Sequence, residues 1–162
     1  RSAARYDGAV GEALRQLKYE KALWLAPDLA ELMRRCVGGE YPGRTFDLLV
    51  PVPLYHVRRR ERGYNQSALL AFELGRRLRR PAVPGLLRRI RPTETQTHLT
   101  AAQRLTNVKT AFRADATRGV EGEDLLLVDD VMTTGATVTA CARALRSAGA
   151  ASVTVVTVAR SG

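Results

Sequence analysis

Two kinds of hydrophobic pattern alternate along this chain. Apolar positions at helical spacing run through 8–37, with Val10, Leu14 and Leu17 as one set and Leu25, Leu29, Leu32 and Met33 as another. Pro27 fits the first turn of a helix but not its interior, so the break between Tyr19 and Pro27 predicts two helices, the second ended by Gly38-Gly39. Trp24, near that break, is expected in the core. A second helical pattern (Leu69, Leu70, Phe72, Leu74, Leu78) predicts a helix over about 66–79, capped by Asn65. A third, with Val138, Cys141, Ala142 and Leu145, predicts a helix from about 138 to Ser147, closed by Gly149 in the left-handed conformation.

Between the helical patterns lie short aliphatic runs. Leu125–Val128 (LLLV) is a continuous apolar stretch and Phe46–Pro53 (FDLLVPVP) is apolar but for Asp47, the pattern of strands buried on both faces of a parallel sheet. Pro51 and Pro53 lack an N–H, so the first of these must stop pairing where they stand. Leu86–Ile90 and Ala111–Ala114 predict shorter strands, and the β-branched Ser152–Ala159 predicts the last one. Strands separated by helices indicate βαβ units, hence an α/β domain with a mainly parallel sheet flanked by helices.

The chemistry concentrates where the Leu125–Val128 run ends. Two carboxylates, Asp129 and Asp130, come first, then a turn of small residues, Thr133-Thr134-Gly135-Ala136-Thr137, then a helix. A helix starting at that turn presents unpaired N–H groups and the positive end of its dipole, a cradle for phosphate. Gly135 tolerates positive φ and lets the backbone approach an anion. The acids would repel a phosphate and must face another part of the ligand. Sugar hydroxyls, met directly or through hydrated Mg²⁺, suit hard carboxylate oxygens. Strand, diacid and phosphate loop in that order read as a ribose-phosphate site.

Composition narrows the setting. At 162 residues the chain suits one domain, and 45% hydrophobic with 26% charged residues is the balance of a soluble globular protein. No apolar run approaches the roughly eighteen residues that span a bilayer, and no signal-peptide pattern opens the chain. Cys36 and Cys141 lie far apart with no CxxC spacing, so neither a disulfide framework nor a zinc module is indicated, and a reducing cytoplasm is the expected location. The net charge is +10, and Arg58–Arg91 holds eleven arginines against Glu61 and Glu73, a net +9 in 34 residues. Such a segment suits polyphosphate, nucleic acid or an acidic partner, or simply a solvated arginine face.

VDDVMTTGAT resembles the phosphoribosyl-pyrophosphate (PRPP) signature of the type I phosphoribosyltransferases, and PVPLYHVRRRERGYNQS resembles the region that distinguishes their ComF competence-protein branch. The resemblance implies the Rossmann-like type I phosphoribosyltransferase fold in one domain over 1–162, with a small helical hood or flank over 1–45 and the core over 46–162. It implies that Met132 to Thr137 (Met132, Thr133, Thr134, Gly135, Ala136, Thr137) bind the 5′-phosphate. Pro51, Val52, Pro53 and Leu54, with Arg60 and Arg62, would bind pyrophosphate. Asp129 and Asp130, with Arg104 and Lys109, would carry the chemistry, the two acids also holding Mg²⁺ through water. Arg91–Phe112 resembles the flexible catalytic loop of glutamine-PRPP amidotransferases, with Gln96, His98 and Asn107 among its polar positions. His56 is read as structural.

The implied activity is Mg²⁺-dependent phosphoribosyl transfer from PRPP to a nitrogen nucleophile whose identity the sequence does not give. A reading from a different class is an accessory protein of DNA uptake that binds PRPP without catalysis and meets single-stranded DNA or a competence helicase. A homodimer is compatible with either.

Overall fold

The computed structural model describes residues 1–91 and 111–161. At its centre is the strand β5, Asp124–Met132, whose Leu125, Leu126, Leu127 and Val128 are fully buried. Four parallel strands form the main sheet in the order β1-β6-β5-β2, where β1 is Ser2–Arg5, β2 is Leu48–Pro51 and β6 is Ser152–Arg160. Side chains alternate across a strand, so each buried strand feeds two cores. Leu49, Leu126, Val128, Val156 and Val158 pack on one side with α1 (Gly8–Tyr19), α2 (Ala26–Glu40) and α4 (Gln66–Leu78). Val50, Leu125 and Leu127 pack on the other with α5 (Ala136–Ser147) and an antiparallel ribbon of β3 (Leu87–Arg89) and β4 (Phe112–Ala114). The result is three layers, helix on sheet on helix.

The crossovers decide where a ligand can sit. After β2 the chain passes through α4 on one face and returns beside the far edge of β2, where Leu49 N–H donates to Pro81 O and Val83 N–H to Leu49 O. After β5 it passes through α5 on the opposite face and returns as β6 on the other side of β5. The two connections diverge between adjacent strands, which makes the crevice at the carboxyl ends of β2 and β5 the topological switch point of the sheet. The prolines widen it. β2 pairs with β5 only from Leu48↔Leu125 to Pro51↔Val128, while β6 follows β5 as far as Met132↔Arg160. Beyond Val128, β5 is therefore bare on its β2 side.

Several expectations need correcting. The strand does not stop at the acids but runs through them to Met132. Gly38 and Gly39 do not end α2, which continues to Glu40. Ser2–Arg5, inside the expected helical flank, is an edge strand tied to β6 through Ser2 Oγ and Thr157 Oγ1 at 2.7 Å. Trp24 lies in a short 3₁₀ turn, Leu23–Leu25, and is 71% exposed, so it is not a core aromatic. Phe72, placed in the apolar set of α4, is also exposed.

One glycine holds the return of α4 in place. A Cβ on Gly75 would lie 2.6 Å from the carbonyl oxygen of Arg80, a backbone atom that cannot swing away. Gly75→Ala is expected to cost about 1–3 kcal/mol by overpacking and to lower the melting temperature by about 2–4 °C per kcal/mol. Thermal melts check this, and an unchanged midpoint would show that the turn relaxes freely.

Candidate functional site

The switch-point crevice contains a cavity of about 230 Å³ lined by Val52, Pro53 and Leu54 after β2, Arg58 and Arg62, Gln66 and Ser67, Arg89, Asp129 and Asp130, Thr137, and Lys18. Three adjoining segments of chain shape it. The proline-bounded loop is fixed at Val52 on both sides: its N–H donates to Val128 O at 2.9 Å, and its carbonyl accepts from Asn65 Nδ2 at 3.0 Å. Asn65 also caps α4, its side-chain oxygen accepting from Ser67 N–H at 3.0 Å. Residues 56–62 wind into a short helix α3, His56–Arg62, ended by Gly63 at φ 83°.

That helix sorts the arginines. Positions four apart share a face, and positions two apart fall on nearly opposite sides. Arg58 and Arg62 line the cavity, whereas Arg60 is exposed and does not. Of the expected pair, Arg62 borders the cavity and Arg60 does not, while Arg58, which the sequence did not single out, does. His56 opens the helix on the surface, its ring 4.2 Å from that of Tyr55.

Both acids are buried, Asp129 at 9% and Asp130 at 5% exposure, and both border the cavity. Asp129 Oδ1 accepts from Ser67 Oγ at 2.8 Å and from the Asp130 amide at 2.9 Å. Asp130 Oδ1 accepts from the Val131 amide at 2.7 Å, and its Oδ2 lies 2.8 Å from Lys18 Nζ. Burial raises the Asp129 carboxyl well above the usual carboxylate range, and the neighbouring Asp130 charge raises it further. The Ser67 hydroxyl, the Asp130 amide and Lys18 oppose that rise. Ser67 and Lys18 are members of the site that the pattern of the chain did not mark. Gln66, 4% exposed, joins them on the cavity wall.

The turn after β5 has the form expected of an anion cradle. Gly135 sits at φ 79°, immediately before α5. Thr133 and Thr134 are exposed and Gly135, Ala136 and Thr137 half-buried. The Ala136 amide has only a long 3.4 Å contact to Thr134 Oγ1. Among the described residues, the amides of Thr133, Thr134, Gly135 and Thr137 donate to no protein atom, so they remain available. Met132 ends β5, half-buried against the core, where its carbonyl accepts from Ser161 N–H at 3.0 Å. Gln96, His98, Arg104, Asn107 and Lys109 lie outside the described residues.

Two neighbouring hollows bear on this assignment. A groove of about 710 Å³ between α3, the start of α4 and β3 shares Pro53, Leu54 and Arg89 with the acid cavity. A hollow of about 520 Å³ behind α5, lined by Val138, Ala142, Arg143 and Arg146 among others, contains neither acid. Among the described residues no group of three or more His, Cys, Asp or Glu could hold a metal on protein ligands alone. No helix among them is long and apolar enough to cross a membrane. Cys36 and Cys141 are both free.

Residues 67–162 match the phosphoribosyl transferase domain family. Competence protein F of Haemophilus influenzae is 34% identical over 88% of this chain, which spans 64% of that protein's length. DNA utilization protein YhgH of Salmonella typhimurium is 37% identical over 95% of the chain and 68% of its own length. Among solved structures, the glutamine PRPP amidotransferase of B. subtilis superposes with a TM-score of 0.54 at 22% identity, over 82% of this chain and 26% of the amidotransferase. The structural match supports the fold, and the two sequence matches narrow the branch. The chain belongs to the type I phosphoribosyltransferase family, in its ComF branch.

Proposed function

We propose that the protein binds PRPP in the crevice between β2 and β5 and transfers its phosphoribosyl group to a nitrogen nucleophile. The observation that carries this reading is one cavity that joins the diacid, two arginines on one face of α3 and Thr137, the last residue of the free-amide turn ahead of α5. The 5′-phosphate would sit against the amides of Thr133 to Thr137, where it meets unpaired donors and the positive end of the α5 dipole. Asp129 and Asp130 would accept from the ribose hydroxyls and favour positive charge on the ring. Arg58 and Arg62 would receive the pyrophosphate, whose charge grows as it leaves.

In the reaction the bond from C1 of the ribose to the pyrophosphate oxygen breaks and its electron pair leaves with pyrophosphate. The ring passes through an oxocarbenium-like state, the nitrogen lone pair forms the new bond at C1, and the nitrogen then loses a proton to solvent or a nearby base. Two buried hard carboxylates, each already engaged by a protein donor, suit Mg²⁺ held through water and chiefly by the ligand's own phosphates. Bound there, Mg²⁺ would neutralise the charge developing on the leaving group.

A second reading draws on the names of the relatives, a competence protein and a DNA utilization protein. In it the pocket regulates a protein whose exposed arginines on α3 meet single-stranded DNA or a helicase. One pair of measurements separates the two. Calorimetry with Mg²⁺-PRPP is expected to show binding under either. Release of pyrophosphate with some member of a panel of nucleobases, amines and ammonia is expected only for the transferase. Binding without release from any acceptor, together with salt-sensitive affinity for single-stranded DNA, favours the second.

A further inference from the structure

Three consecutive residues at the end of α1 are fastened to the crevice. The Leu17 carbonyl accepts from the Tyr64 hydroxyl, Lys18 Nζ lies 2.8 Å from Asp130 Oδ2, and the Arg62 guanidinium lies 5.3 Å from the centre of the Tyr19 ring. Elsewhere α1 uses its charges on the surface: Arg15 pairs with Glu12 and Glu20, each about half exposed. Lys18 is different, with its side chain 16% exposed and turned into the cavity of the diacid. It lies outside the segment that matches the phosphoribosyl transferase domain, and only the fold brings it to the acids.

Asp130 Oδ1 accepts from the Val131 amide, and Oδ2, which has no hydrogen-bond partner among the described residues, is held only by its ion pair with Lys18 at 2.8 Å. A carboxylate so occupied is poorly placed to accept from sugar hydroxyls. A ligand that carries a pyrophosphate brings several negative charges into the same small cavity, and a lysine is a compact point charge on a flexible stem that can change partner by rotating its side chain. A ligand without the pyrophosphate offers no such exchange.

We infer that Lys18 is a ligand-binding residue that leaves Asp130 for the pyrophosphate of the incoming sugar and so frees that carboxylate for the ribose hydroxyls. This rests on the phosphoribosyl reading of the site. It assigns to Lys18 the discrimination between PRPP and ribose 5-phosphate, and after pyrophosphate departs the ion pair re-forms against a vacated site.

The test is calorimetry of Mg²⁺-PRPP on the wild type, Lys18→Met and Lys18→Arg, with ribose 5-phosphate read by displacement and thermal melts in parallel. Lys18→Met is expected to lose about tenfold or more in PRPP affinity, the worth of one charge-assisted contact. Its ribose 5-phosphate affinity should hold or improve, and Lys18→Arg should recover most of the loss. Unchanged PRPP affinity in Lys18→Met, an equal loss for both ligands, or no recovery in Lys18→Arg would each overturn the inference and mark Lys18 as a packing residue. A wild type that binds no PRPP would instead remove the phosphoribosyl reading itself.

Discussion

Asp129→Asn is expected to leave the protein as stable as before or more so, Asp130→Asn to destabilise it, and the double variant to bind no Mg²⁺-PRPP. The opposite stability effects follow from the two environments. Asp129 is buried, with its carboxyl raised by burial and by Asp130, and its protein partners are donors that an amide oxygen can also satisfy. Its ionised form is therefore the costly one. A folded pKa above the unfolded value of about 3.9 means that stability is fully present below that value and is lost as pH rises through the folded pKa. Asparagine removes that loss, so its advantage over the wild type should grow from about pH 4 toward pH 8. Asp130 is the reverse case, since its removal strands the ammonium of Lys18 in a mostly buried position. Breaking such a pair costs about 3–5 kcal/mol when fully buried, and nearer 1–3 kcal/mol where the lysine keeps some contact with water. Denaturant titration across pH checks the signs, and calorimetry checks the ligand. If the double variant holds PRPP with wild-type affinity, the acids are not in the ligand site and the assignment fails.

What the chain reveals by inspection depends on whether a feature is local. The LLLV run announces a doubly buried strand because a short aliphatic run cut off by acids and a glycine turn suits a strand covered on both faces, and all four residues are fully buried. Pro51 and Pro53 announce where pairing ends because a missing N–H acts at its own residue. Asn65 announces a helix start for the same reason, its side chain reaching only two residues ahead. Each of these is a contact within one or two turns of chain.

The features that escaped inspection are made by distant partners. Ser2–Arg5 has no strand pattern of its own and becomes a strand because β6 offers an unpaired edge. Lys18 looks like any surface lysine of an amphipathic helix until Asp130, more than a hundred residues later, is set beside it. Arg60 looked equivalent to Arg62 because the RRRER run has no visible phase, and only the helical winding of 56–62 assigns one face to Arg58 and Arg62. Trp24 defeats the usual tendency of large aromatics toward the core because the 3₁₀ turn between α1 and α2 points it outward. The site was thus legible as a motif but not as a set of contacts. The residues missed are those that tie flanking helices to it.

Gly135→Val is expected to weaken phosphate recognition on the order of a hundredfold while sparing most of the fold. Gly135 has φ 79°, a conformation in which a β-branched side chain is an outlier. The penalty is conformational, not a clash: a Cβ there would find nothing nearer than Met132 Sδ at 3.8 Å. The left-handed conformation costs an L-residue about 1–2 kcal/mol, so the melting temperature should drop by only a few degrees, at about 2–4 °C per kcal/mol. The damage to binding should be larger. The turn carries several free amides in succession, and a valine relieves its strain by rotating the peptide units on either side. Misdirecting one or two charge-assisted hydrogen bonds, at about 1.5–3 kcal/mol each, lowers affinity on the order of a hundredfold. Because the phosphate on C5 is common to both ligands, PRPP and ribose 5-phosphate should lose alike. That separates this variant from Lys18→Met, which is expected to spare ribose 5-phosphate. A Gly135→Val protein that is folded and binds both ligands as the wild type does would place the phosphate elsewhere in the crevice, with the arginines of α3 as the remaining anion site.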